Sequence, residues 1–123
     1  MNELDFSFYL NTNEINYLKK FASERIFNSE MTIIYKNQIP TAAYLILEGS
    51  IEITNKRKNF SQLLGQNHLI GLKEIYAHKK IKFNIDIKSG SKVLIIDHST
   101  VLELLNKNRI ENPISHLLAD MAS

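Results

Sequence analysis

The chain has 123 residues, with 15 basic against 13 acidic side chains and a formal charge of +2. That length fits one domain, residues 1–123, and is too short for a sensing domain plus a separate output domain; the near balance of charge excludes a bulk field that would draw in nucleic acid or an anionic membrane. Cysteine is absent, which excludes disulfides, thiolate metal sites and cysteine nucleophiles together. Hydrophobic residues at 44% and charged residues at 23% are ordinary for a soluble globular protein. The amino terminus has neither the basic start nor the apolar run of a secretory signal. No segment approaches the roughly 20 apolar residues needed to cross a bilayer. A soluble, cytoplasmic protein without membrane contact is expected.

In chain order, Asn11 followed by Glu14 reads as a capping box, in which each side chain satisfies an orphan backbone N–H at the other residue. Ile15, Leu18, Phe21 and Ala22 recur at helical spacing, predicting a helix over 12–24. From Arg25 the period changes to short runs rich in Ile, Leu, Phe and Tyr, broken by polar turns. Strands are expected at 31–35, 43–47, 50–54 and 60–64, with a turn at 37–41, a tight turn at Glu48 and Gly49, and an exposed hairpin tip at 55–59. One short helical turn is expected at 71–76, then strands at 82–87 and 92–97 separated by a turn at 88–91. Many short strands at regular spacing mean a sandwich or barrel-like β body over 25–97. Asp97 or Ser99 caps a helix bearing Val101, Leu102, Leu104 and Leu105. Asn112 and Pro113 start another, whose Ile114, Leu117, Leu118 and Met121 form an apolar stripe, so two helices are predicted over 98–122.

Residues 31–35 (Met-Thr-Ile-Ile-Tyr) and 43–53 (Ala-Tyr-Leu-Ile-Leu-Glu-Gly-Ser-Ile-Glu-Ile), with 93–105 running from an apolar strand into a helix, carry a family resemblance. The chain resembles the cyclic nucleotide-binding domain superfamily, the sensor fold of the catabolite activator protein family. The resemblance implies a mainly β jelly roll, a double-stranded β-helix, with one N-terminal and two C-terminal helices. Gly49 fits the family's hairpin glycine, while Glu30 and Asn37 stand where the family has two earlier glycines; Asn tolerates the left-handed region and Glu does so less well. In members that bind a cyclic nucleotide, a Phe-Gly-Glu turn opens a short helix facing the phosphate, the glutamate binds the ribose, and an arginine about ten residues on grips the phosphate. Here Ile70 and Gly71 match Phe-Gly, but Leu72 stands at the glutamate position and Ile81 at the arginine position, between Lys80 and Lys82. Both charged anchors are missing. Lys80 or Lys82 could neutralise an anion only as a point charge, and Glu74, two residues further along the helix, faces another way.

The candidate ligand-contacting residues are therefore Gly71, Leu72, Lys80, Ile81 and Lys82, in a pocket that Leu72 and Ile81 partly fill. Two compact basic clusters stand out, Lys79, Lys80 and Lys82, and Lys56, Arg57 and Lys58 at the hairpin tip. The tip has no interleaved aromatics for base stacking and no neighbouring recognition helix, which argues against nucleic acid. His68, His78, His98 and His116 lack metal-ligand spacing. Glu48 and Glu52 flank a hairpin as exposed strand residues, and no nucleophile elbow, zinc-binding helix or phosphate loop is present, so neither an enzyme nor a metal or other cofactor is expected. In the resembled family the region after the roll begins a helix that pairs protomers, so Ile114, Leu117, Leu118 and Met121 are the candidate contacts to a second copy or another protein. The expected function is regulation through protein contacts without standard cyclic nucleotide binding. Two alternatives are a sensor of another small nucleotide or organic anion, and the sensor part of a transcription regulator that continues beyond Ser123.

Overall fold

The computed structural model describes residues 7–106 and Leu117. Among these residues the chain runs β1 (Ser7–Tyr9), α1 (Thr12–Leu18), β2 (Ser23–Phe27), β3 (Met31–Ile34), β4 (Ala42–Glu48) and β5 (Ile51–Asn55). A 3-10 turn (Lys56–Lys58) leads to β6 (Phe60–Leu64), β7 (His68–Ile70), α2 (Leu72–Ala77), β8 (Asn84–Ile87), β9 (Ser91–Asp97) and α3 (His98–Asn106). The strands form a five-stranded sheet in the order β1-β7-β4-β9-β2 and a four-stranded sheet in the order β3-β8-β5-β6. Every pairing is antiparallel. This is the expected jelly-roll body, and none of the described helices is long and apolar enough to cross a membrane.

Two apolar clusters lie on opposite faces of the five-stranded sheet. Successive strand residues point to opposite faces, so Ala43 and Leu45 on β4, Leu69 on β7 and Leu94 and Ile96 on β9 join the helix-side cluster with Ile15, Leu18, Leu72, Ile75, Val101, Leu104 and Leu105. Their neighbours Ile46, Ile70 and Val93 face the roll interior with Ile34, Ile51, Ile53, Ile81, Ile85 and Ile87. The four-stranded sheet buries only its inner face, and its outer side carries Thr32, Glu52 and Asp86.

The helix expected over 12–24 is shorter than its periodicity suggested. The capping box forms, with the Glu14 N–H donating to Asn11 Oδ1 and the Asn11 N–H donating to Glu14 Oε1, both at 2.8 Å. The helix then ends at Leu18 in a tight turn, where the Phe21 N–H donates to the Leu18 carbonyl and Phe21 packs on Tyr17 at 5.2 Å between ring centres. Ser23 onward is taken by the edge of β9, whose ladder pairs Ser23 with Ile95 and Phe27 with Ser91. A further strand, β1, precedes the helix and is too short to show alternation. The helix after β9 starts where expected, capped by Asp97 Oδ1 accepting from the Thr100 N–H at 2.8 Å. Residues 107–116 and 118–123 lie outside the described residues, and with them Ile114, Leu118, Met121 and most of the second predicted helix.

Between β4 and β5 the chain crosses from one sheet to the other, and Gly49 makes the crossing possible. Its φ of 88° suits glycine, and a Cβ there would collide with Ser91, lying 2.8 Å from its Cα. The Ser91 hydroxyl fills that space, donating to the Ser50 carbonyl and accepting from the Ser50 N–H, both at 3.1 Å. Asn37 takes a φ of 72°, as the left-handed tolerance of Asn allows, whereas Glu30 stays out of that region.

Leu117 is 3% exposed and belongs to the helix-side cluster. Its side chain is thus used within its own chain. Leu117→Ala is expected to lower stability by about 2–4 kcal/mol through the cavity it leaves, read from the midpoint of urea unfolding. A change within about 0.5 kcal/mol, the range of an ordinary surface substitution, would place the residue outside the core.

Candidate functional site

The short helical turn expected after Ile70 is present. Strand β7 ends at Ile70, Gly71 takes a φ of 93°, and α2 makes its short run before His78 closes it in the left-handed region. A Cβ on Gly71 would lie 3.0 Å from the Ala42 carbonyl and 3.3 Å from the Ala43 Cα, so only glycine lets this turn rest against β4.

The two anchor positions do not share a pocket. Leu72, at the glutamate position, is 3% exposed and belongs to the helix-side cluster. Ile81, at the arginine position, is 1% exposed and belongs to the interior cluster with Ile70, Phe83 and the half-buried Tyr44. Its backbone is tied to the turn after β3, accepting from the Asn37 N–H at 2.8 Å and donating to the Gln38 carbonyl at 2.9 Å. The expectation that Leu72 and Ile81 partly fill one pocket is therefore corrected: the sheet separates them.

Lys80 is exposed and takes no part in any described cavity, but Lys82 does. Residues 81–83 alternate, so Ile81 and Phe83 turn inward while Lys82 turns out. At the end of the four-stranded sheet Lys82 meets Lys36, Asn37, Asn55, Arg57 and Lys58 around a cavity of about 350 Å³. Two lysine-rich segments separated in sequence thus converge, while Lys79 and Lys80 stay apart. Asn55, 4% exposed, joins the segments: its Nδ2 donates to the Lys82 carbonyl at 3.2 Å and its Oδ1 accepts from Lys36 Nζ at 3.3 Å. The Lys36 N–H donates to Asn84 Oδ1 at 2.8 Å. Sequence reasoning missed Lys36 and Asn55; the only available signal was their position at the ends of two predicted strands.

Several charged groups elsewhere are paired with one another. Glu30, Glu52 and Asp86 gather ligand oxygens within 4.8 Å, but Lys88 Nζ already lies 3.2 Å from Glu30 and 2.9 Å from Glu52. Ser61 donates to Glu52 and Thr32 to Asp86, and the Lys88 and Ser61 bonds hold the Glu52 carboxyl below its ordinary value. Glu48 stands apart, 3.8 Å from Lys92. His68 packs edge-on to Tyr9 at 5.2 Å with its Nδ1 buried and unbonded, and burial lowers its pKa.

Glu74 is buried in α2, with Oε1 lacking a hydrogen bond. Burial raises its pKa, against smaller opposing effects of its own backbone N–H and of Lys73. The folded chain binds that proton more tightly than the unfolded chain, so the residue weakens the fold progressively as pH rises from its ordinary value of 4.5 through the raised one. Glu74→Gln is expected to raise stability at pH 7 by about 1 kcal/mol, with the gain fading as pH falls toward 4.5. Denaturant unfolding of both chains across pH measures it; a gain independent of pH would contradict a charged origin.

No family model matches the chain, and no curated protein does. Several solved structures do. One comes from work on a cyclic-GMP-dependent signalling pathway regulating bacterial phytopathogenesis, with a TM-score of 0.76 at 12% identity over 90% of this chain and 89% of that one. The catabolite activator protein of Thermus thermophilus gives 0.62 at 17% identity, over 92% and 50% of the two chains. The c-di-GMP-responsive global regulator CLP, which links cell-cell signalling to virulence gene expression in Xanthomonas campestris, gives 0.68 at 9% identity, over 91% and 56%. This chain spans about half the length of the last two. At such identities the likeness speaks for architecture alone, and the architecture of this chain is the jelly roll shared by the catabolite activator protein and these other structures.

Proposed function

We propose that the chain is a non-enzymatic regulatory domain whose roll is closed to cyclic nucleotides in their standard pose and which acts through contacts with another protein. The observation that carries this reading is Ile81. Where a phosphate-gripping arginine would stand, an isoleucine that is 1% exposed packs into the interior. Placing a charged phosphate against that surface would desolvate it without a counter-charge. Leu72 likewise offers no acceptor for a ribose hydroxyl.

Support for surface contacts comes from the sheet edges. Each of the four edge strands carries a large exposed apolar side chain: Tyr9 on β1, Ile26 on β2, Met31 on β3 and Leu63 on β6, all between 45% and 68% exposed. Edge strands also present backbone groups that a partner strand can pair with. These positions, not the buried Leu117, are the better candidates for a contact face among the described residues.

Calorimetric titration of the full chain with cyclic AMP, cyclic GMP and a cyclic dinucleotide is expected to give no saturable heat at ligand concentrations up to about 1 mM, an affinity near 4 kcal/mol. Micromolar binding of any of them would overturn the reading.

A further inference from the structure

We propose that the cavity bounded by Lys36, Asn37, Asn55, Arg57, Lys58 and Lys82 is a binding site for a small anion bearing two linked phosphates, such as pyrophosphate or the diphosphate group of a metabolite. The site goes beyond the regulatory reading above and does not depend on it, because Lys82 faces away from the interior that Ile81 closes.

The charge pattern carries the inference. Among the described residues the lining holds four cations and two carboxamides and no carboxylate. Among the described residues none of the four cations has a carboxylate partner, whereas Lys88 and Lys92 each bridge two. Gathering like charges raises the energy of the folded chain, and an anion seated between them reverses the sign of that contribution. A phosphate monoester carries about −1.5 to −2 charges at neutral pH; linking two phosphates through a shared oxygen removes an ionisable position, so a diphosphate of about −3 offsets most of the four cationic charges. The Arg57 guanidinium supplies a forked grip on phosphate oxygens and the lysines supply point charges.

The arrangement is built into the fold. Asn55 is the inward-facing last residue of β5, and both ends of its amide are used, one on Lys36 and one on the Lys82 backbone. It therefore holds the turn after β3, the 3-10 turn and the segment before β8 in one relation. The volume of about 350 Å³ lies at the lower end of small-molecule sites. Among the described residues no aromatic ring lines it, so they offer no stacking platform of the kind found in a single-stranded nucleic acid site.

The test is a titration of the full-length, isotope-labelled chain with inorganic pyrophosphate at constant ionic strength, followed by amide resonances and calorimetry. Saturable one-to-one binding is expected, with the largest shifts at Lys36, Asn55 and Lys82. Arg57→Gln and Lys82→Gln, both at exposed positions, should each weaken binding about tenfold, the equivalent of one lost charged hydrogen bond, while Lys79→Gln leaves it unchanged. Thermal unfolding of each variant checks that the fold is retained. The proposal is overturned if binding fails to saturate, if Lys79→Gln weakens it as much as the other two, or if a single-stranded oligonucleotide binds more tightly at equal phosphate concentration. Shifts centred on Gly71 and Leu72 would also overturn it, and would count against the regulatory reading as well.

Discussion

The molecule depends on the pairing of β4 with β9. In that ladder Ala43 stands opposite Ile96 and Leu45 opposite Leu94, all facing the helices, while Ile46 stands opposite Val93 facing the roll. Both faces of this strand pair are buried, so the register is determined twice. A slip of one residue would exchange the two sets of side chains and disrupt both clusters at once. The helices, the Gly71 turn and the second sheet are all positioned against this pair, Gly71 by close approach to Ala42 and Ala43 and Gly49 by close approach to Ser91.

Two-sided burial also explains why the Gly71 turn needs no ligand to form. Gly71 is held by steric contact with the β4 backbone, a demand of the fold that exists whether or not an anion is bound. Leu72 and Ile81 meet a different demand, since each completes an apolar cluster that a charged side chain would interrupt. The turn is set by backbone contact with β4, while Leu72 and Ile81 are set by the two clusters, and the two demands are separable.

The charged surface divides in a similar way. On the outer face of the four-stranded sheet, Lys88 lies between two carboxylates, Glu30 just before β3 and Glu52 on β5. At the end of the same sheet, positive charge is gathered around Asn55 without matching carboxylates among the described residues. Exposed ion pairs add little to stability, so the contrast matters less for the fold than for what each surface can receive.

Most of the roll was legible in the sequence because its signals are local. The alternation from Tyr44 to Thr54, the glycine turn, the Asn11 and Glu14 capping box and the apolar run from Val93 to Ile96 each follow from backbone periodicity and hydrogen-bond capacity. The short β1 strand and the early end of α1 were not, since Ser7–Tyr9 and Ser23–Phe27 become strands through the edges of β7 and β9. The missing anchors could be read from residue identity at Leu72 and Ile81, but not that the two side chains enter different clusters. Nor could the sequence bring Lys36 and Asn55 to Arg57 and Lys82. By itself it determined the class of fold and the apolar character of positions 72 and 81, because the one depends on local pattern and the other on which residues are present. Only the tertiary structure decided where the charges meet, because strand pairing between segments far apart in the chain sets that distance.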